Sequence, residues 1–186
     1  MALGEAILIC LTERPMSGYE LAKSFDTSIG FFWRADHQQI YKELAKLSER
    51  GLIEGDEVIQ SGKPNKFIYT ITTEGTHHLK EWSRQPTRAA AVKDDLLVRL
   101  YAVDAVDIGA LRADIMARLE WHRDRLMQYE RILAKNFTDR DLSDHEKGKL
   151  LGLRLGFRYE QNWSEWCEEA LELLPLPDNP GDGSGS

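Results

Sequence analysis

Apolar residues follow a helical rhythm along most of the chain and an alternating one near its middle. Leu3, Ile7, Leu8 and Leu11 recur at i, i+4, i+5 and i+8, which puts them on one face of a helix spanning residues 3–13. Arg14-Pro15 ends that helix, because the residue before a proline avoids helical backbone. Ser17 reads as the cap of a second helix, with Glu20 completing a capping box, and Tyr19, Leu21, Ala22 and Phe25 carry it to about Thr27. The connection from Ser28 to Ala35 holds Ile29, Phe31, Phe32 and Trp33. Three adjacent aromatics predict packing into the domain core or under a partner chain, or coupling of this region to a dimerisation domain, rather than an exposed loop.

Asp36, with Gln39 at the box position, opens a third helix that runs to Arg50, where Gly51 supplies a left-handed terminator. At about 100° per residue, Ile40, Leu44 and Leu47 fall within about 60° of one another and form its buried stripe. Gln38, Gln39, Lys42, Lys46 and Glu49 then point the other way, with His37 and Tyr41 on the flank. Leu52–Gln60 and Lys66–Thr72 alternate and are β-rich, and the turn formers Ser61-Gly62-Lys63-Pro64-Asn65 lie between them. This predicts a hairpin with Lys63 and Lys66 at its tip. Thr73 with Glu74-Gly75 opens a fourth helix, carrying Leu79 and Trp82 inward and ending near Arg84, and Gln85-Pro86-Thr87-Arg88 reads as a domain boundary.

The second half is helical throughout. A short helix from Lys93 to Val103 carries Leu96, Leu97, Leu100 and Tyr101. From Asp107 to about Lys135, Leu111, Ile115, Leu119, His122, Leu126, Tyr129 and Leu133 recur in steps of 4, 4, 3, 4, 3 and 4, a near-heptad stripe. Polar residues from Asn136 to Ser143 break it. A last helix from Asp144 to Leu174 carries Leu151, Leu155, Tyr159, Trp163, Trp166, Ala170 and Leu174 before Pro175 and Pro177. The expected fold is therefore mainly α with a small β-hairpin. A winged helix-turn-helix covers residues 1–85, a helical dimerisation and effector domain 93–175, and a Gly/Ser/Asp/Pro-rich disordered tail 176–186.

Composition narrows the function. No apolar run approaches the roughly 20 residues of a membrane span, and acidic Glu5 inside the first apolar stretch argues against a secretory signal, so a cytoplasmic protein is expected. Cys10 and Cys167 sit in apolar helical patterns as reduced thiols, and the five histidines make no metal-binding spacing; no metal or cofactor is expected. The net charge of −7 argues at first against nucleic acid. Residues 1–92, however, carry 11 basic against 12 acidic side chains, or −1, and residues 93–186 carry 13 against 19, or −6. The acidity belongs to the helical half.

The chemistry at hand is that of a DNA reader. The major groove admits one α-helix, and residues near that helix's amino terminus reach base edges. Gln38 and Gln39 can pair bidentately with adenine, Lys42 can reach guanine or a phosphate, Lys46 a phosphate, and the Tyr41 hydroxyl the backbone. Lys63 and Lys66 on the wing can neutralise flanking phosphates. An intermolecular helix bundle is the natural cover for stripes as long as those of the last two helices, which predicts a dimer with two reading heads; the alternative is an intrachain hairpin of helices that never dimerises. Trp121, Trp163, Trp166, Tyr129, Tyr159 and Phe157 are either bundle core or the lining of a pocket for a small aromatic effector. Arg158, Arg154 and His122 are candidates to answer such a ligand's carboxylate. No GxSxG elbow, phosphate loop or facing carboxylate pair is present, so no enzyme is expected. The competing reading is a small-molecule-binding or protein-interaction module that has lost DNA binding, and the acidic balance is its support.

Ser17-Gly18-Tyr19-Glu20-Leu21, Phe32-Trp33, His37-Gln38-Gln39-Ile40-Tyr41, Leu52-Ile53 and Tyr69-Thr70-Ile71-Thr72 with Glu74-Gly75 carry a resemblance to the PadR family of transcriptional regulators. Lys93-Asp94-Asp95-Leu96 and Trp163-Ser164-Glu165-Trp166 resemble its branch with a long carboxy-terminal domain, which includes phenolic-acid-responsive repressors and a virulence-gene activator. The resemblance implies a homodimer on a near-palindromic double-stranded operator. The third helix would lie in the major groove and the wing beside it, a role that falls on Gln38, Gln39, Tyr41, Lys42, Lys63 and Lys66. It also implies a repressor released by a small aromatic compound, although an activator branch exists. A proline common in the family after the tyrosine of the third helix is replaced here by Lys42.

Overall fold

The computed structural model describes residues 3–27, 35–59, 65–87, 93–137 and 141–174. They form two compact units, divided between residues 89 and 90. The first holds α1 (Leu3–Glu13), β1 (Met16–Ser17), α2 (Gly18–Thr27), α3 (His37–Glu49), β2 (Ile53–Val58), β3 (Lys66–Ile71) and α4 (Thr73–Ser83). The second holds α5 (Asp95–Leu100), α6 (Ile108–Asn136) and α7 (Asp144–Leu173).

In the first unit α1 supplies the centre of the core. Its Ile7, Leu8 and Leu11 pack with Leu21 and Phe25 of α2, with Ile40, Leu44 and Leu47 of α3, and with Leu52 and Ile53. Burying each such side chain contributes roughly 1.5–3 kcal/mol, which fixes which face of α3 is left outside. Both ends of α3 are closed. Asp36 accepts from the Gln39 amide at 2.8 Å while the Gln39 side chain accepts from the Asp36 amide at 3.2 Å. At the other end Gly51 takes φ of 68°, its amide donates to Ser48 O and the Leu52 amide donates to Leu47 O. This Schellman arrangement ties the last turn of α3 to the start of the wing.

The sheet has three strands in the order β1-β3-β2 rather than the expected two. The β2–β3 hairpin pairs Ile53 with Ile71 through to Val58 with Lys66, and Met16 and Ser17 add an antiparallel edge opposite Tyr69 and Ile68. A two-residue strand is too short to show alternation, which is why it was not legible. Thr72 joins the wing, the end of α3 and α4: its hydroxyl donates to Gly51 O at 2.8 Å and accepts from the Gly75 amide at 3.0 Å. Leu79 of α4 packs on the core, whereas Trp82 is half-buried and stands outside the core cluster.

In the second unit α6 and α7 run antiparallel, as the pairs Arg112–Leu174, His122–Glu160 and Arg123–Glu168 show. Ser143 caps α7 in a full capping box with Glu146, and Asp107 caps α6. The α6 stripe lies where it was expected, with Leu111, Ile115, Leu119, His122 and Tyr129 buried and Leu126 and Leu133 half-buried. Helix α5 is shorter than the expected 93–103: the amides of Tyr101, Ala102 and Ala105 each bond three residues back, turning the chain out of the α-helix. The largest correction concerns α7. Its inner face is Glu160, Ser164, Cys167 and Ala170, with Trp163, Trp166 and Leu174 half-buried, while Leu151, Leu155 and Tyr159 are exposed. The expected single stripe is thus two faces, one against α6 and one bare.

Candidate nucleic-acid interface

The face of α3 opposite Ile40, Leu44 and Leu47 presents Gln38, Gln39, Lys42 and Lys46, all exposed. Gln38 sits in the first turn with its side chain in solvent. Gln39 is partly committed, because its Oε1 closes the capping box, which leaves its amide nitrogen to donate outward. Lys46 pairs with Glu43 at 2.8 Å. Lys42 has no ion-pair partner among the described residues and is the cation of this face most open to a phosphate or a guanine. Helix α3 continues regularly through Lys42.

Tyr41 leans away from the core onto α2. A Cβ placed on Gly18 would come within 2.5 Å of the Tyr41 ring, so glycine at this position is what lets the ring seat there. The α2 capping box lies beside it. Glu20 Oε2 accepts from the Ser17 amide at 2.9 Å and its hydroxyl at 2.7 Å, and Glu20 Oε1 pairs with Arg14 at 3.0 Å. The hydrogen bonds from the Ser17 backbone and side chain, with Arg14 adding, hold the Glu20 carboxyl down at about 2. Lys66 begins β3 and is exposed, while Lys63 lies outside the described residues, as do Phe31, Phe32 and Trp33.

In the second unit the structure gathers four of the five residues expected at an effector site. His122 and Trp163 stack at 5.3 Å and 5°, Trp121 meets the His122 ring edge-on at 4.7 Å, and Tyr129 is buried nearby, its ring against Gly156. Arg158 is exposed and is not part of this group; Arg154 is exposed as well. The charged centre is instead Glu160, which is 3% exposed. Its Oε2 lies 2.5 Å from His122 Nδ1 and its Oε1 accepts from Arg125 Nε at 2.7 Å. Arg125 in turn lies over the rings of Trp121 and Tyr129, at 4.9 and 5.7 Å. Arg118, 5.9 Å from the Trp163 ring, is held by Asp94 at 2.6 Å, and that hydrogen bond keeps the Asp94 carboxyl below its ordinary value. Glu160 and Arg125 were missed from sequence. The available signal was a polar residue at an inward position of α7, three and seven residues before Trp163 and Cys167, opposite His122 in the α6 stripe.

Residues 7–81 match the transcriptional regulator PadR-like family and residues 92–175 match the virulence activator alpha C-terminal family. The probable transcriptional regulator Rv1176c of Mycobacterium tuberculosis is 35% identical over 185 residues, covering 94% of this chain and 98% of that protein. The negative transcriptional regulator PadR of Bacillus subtilis is 29% identical over 174 residues, covering 91% and 95%. Its crystal structure with operator DNA superposes at a TM-score of 0.80 with 27% identity over 94% of this chain and 100% of that one. Its structure with p-coumaric acid superposes at 0.74 with 26% identity over 94% and 99%. The Vibrio cholerae virulence activator AphA superposes at 0.75 with 32% identity over 91% and 96%. A winged head with a capped and outward-polar α3, a long two-helix second unit and full-length relatives that regulate transcription together place this chain in the PadR-like family of transcriptional regulators.

Proposed function

We propose that the chain is a homodimeric, sequence-specific, cytoplasmic repressor that binds a near-palindromic operator and is released by a small aromatic compound. The observation that carries the DNA-binding part is the outer face of α3. Gln38 stands exposed in the first turn and Lys42, one turn on, has no ion-pair partner among the described residues; three buried side chains behind them fix the face. Gln38 and the Gln39 amide read base edges, Tyr41, Lys42 and Lys46 contact the backbone, and Lys66 with Lys63 meets flanking phosphates. The solved PadR–operator complex, on which this chain superposes along nearly its whole length, supports the DNA-binding reading. Two-fold pairing would set the two heads about 34 Å apart, one turn of DNA.

The effector part rests on the cluster of Trp121, His122, Tyr129 and Trp163 and on the p-coumaric acid complex of the Bacillus subtilis relative. A small aromatic molecule entering beside Trp121, which is 44% exposed, would stack on these rings and quench their fluorescence. The repressor sign follows the negative regulator among the relatives. Operator selection from a random duplex pool, followed by gel shift, tests the reading. The selected site should bind tightly, and Gln38→Ala with Lys42→Ala should cost roughly 1–3 kcal/mol for each bidentate base pairing removed. Unchanged affinity in that double variant would remove α3 as the reading element.

A further inference from the structure

The aromatic cluster between α6 and α7 carries Arg118, Arg125, Asp94 and Glu160, and each of these charges is already answered. Arg125, over the rings of Trp121 and Tyr129, donates from Nε to Glu160 at 2.7 Å. Glu160 faces His122 Nδ1 with its other oxygen at 2.5 Å, so a proton carried on that nitrogen is answered as well. Arg118, beside the Trp163 ring, donates to Asp94 at 2.6 Å and lies 3.7 Å from Asp114, which Arg99 meets at 3.3 Å. The hydrogen bond from Arg118 first, and His122 more weakly, hold the Asp94 carboxyl below its ordinary value, so Asp94 and Glu160 both act on one imidazole. Arg154 and Arg158, the cations expected to answer a ligand's carboxylate, are exposed and stand outside this group. What the cluster leaves open is ring surface: Trp121 and Tyr159 are exposed, and Tyr159 meets Trp163 edge-on at 6.4 Å.

We propose that this cluster takes an uncharged aromatic ligand, and that Asp94 and Glu160 make it turn away aromatic carboxylates. The inference rests on the effector reading above and adds to it the charge of the ligand. A carboxylate entering among these rings has two courses. It can stand as a further anion beside Asp94 and Glu160, where like charges repel in a site largely closed to water. Or it can take Arg118 or Arg125 from its present partner. Taking Arg125 would strip a guanidinium from Glu160, which is 3% exposed, and a buried charge without its counter-ion is strongly unfavourable. An uncharged ring stacks on Trp121 and Tyr159 and leaves both pairs intact. A carboxylate oxygen accepts more than one hydrogen bond, so the cluster can still offer an acceptor to a ligand hydroxyl, but its guanidiniums are not spare for an anion.

Two probes of one shape test this. p-Coumaric acid is a carboxylate at neutral pH, and p-coumaramide keeps its ring, hydroxyl and size without the charge. Each is titrated into the full-length protein by calorimetry, with unfolding of every variant measured alongside. The amide should bind the parent about tenfold or more tighter than the acid. Asp94→Asn keeps a side chain able to cap α5 and releases Arg118, and Glu160→Gln keeps an acceptor and releases Arg125. Each should shift the preference toward the acid by about tenfold, the effect of one carboxylate removed beside the ligand. Asp94→Asn decides alone should Glu160→Gln unfold. Glu168→Gln, which breaks an exposed pair with Arg123, should leave the preference as it is in the parent. Binding of neither probe overturns the effector reading and this inference together. An acid that binds the parent as tightly as the amide overturns the inference and leaves the effector reading standing. So does an amide preference that neither Asp94→Asn nor Glu160→Gln moves, or that Glu168→Gln moves equally, because these two carboxylates would not be its cause.

Discussion

Two glycines show how little slack the head leaves around α3. Gly75 sits where α4 begins against Leu52, and a Cβ there would run into the Leu52 carbonyl, so the junction of α3, wing and α4 closes only over glycine. Gly18 is a different case, because the neighbour is the ring of Tyr41 and that ring is half in solvent. A methyl group at Gly18 displaces a side chain that can swing, so the fold tolerates it and the surface does not. Gly18→Ala should leave the thermal midpoint near that of the parent yet weaken DNA binding by about 1 kcal/mol, the worth of one hydrogen bond. If the loss runs through Tyr41, Gly18→Ala added to Tyr41→Phe should weaken binding no further than Tyr41→Phe does. Additive losses in that double-mutant cycle would mean Gly18 acts on DNA by itself.

Helix α3 was legible because its periodicity, its Asp36–Gln39 box and its Gly51 terminator agree, and each is a local signal that burial in the fold reinforces. The α2 box of Ser17 and Glu20 and the α6 stripe were legible for the same reason. The α7 faces were not. Leu151, Leu155 and Tyr159 keep i, i+4 spacing as well as any core stripe, and hydrophobic spacing cannot tell a helix face covered by its own chain from one left for another. The residue that does mark the inner face is Glu160, a charge buried beside Ser164 and Cys167. Its burial is tolerable because both oxygens are met, by His122 and by Arg125. Glu160→Ala should therefore destabilise the chain by about 3–5 kcal/mol, leaving buried His122 and half-buried Arg125 without their shared carboxylate. Glu160→Gln, which keeps an acceptor for Arg125, should cost less. Denaturant unfolding of the two variants side by side measures the difference, and equal costs would mean the site depends on charge and not on the hydrogen bond.

For the whole molecule, charge and apolar surface are divided between the two units. Residues 93–186 hold −6 of the net −7, so the long-range repulsion of DNA comes from the helical half while the head is nearly neutral. The same half leaves Leu151, Leu155 and Tyr159 bare at 67%, 72% and 57% exposure, a row along one side of α7 that water would otherwise have to cover. At roughly 25 cal/mol per Å² of apolar area, covering such a row on two chains at once is worth several kcal/mol, and a second copy supplies a matching row by two-fold symmetry. Leu151→Glu with Leu155→Glu places two carboxylates on that row without touching Glu160, Cys167 or Ala170 on the other face. The double variant should keep its helical circular dichroism and sediment as a monomer at micromolar concentration, where the parent should sediment as a dimer. Its affinity for a two-half-site operator should fall far more than its affinity for a single half-site, because the second head no longer binds at the effective concentration that the dimer provides. A parent that sediments as a monomer would leave the bare face without the partner proposed for it. Equal losses on one and two half-sites would instead trace the defect to the head.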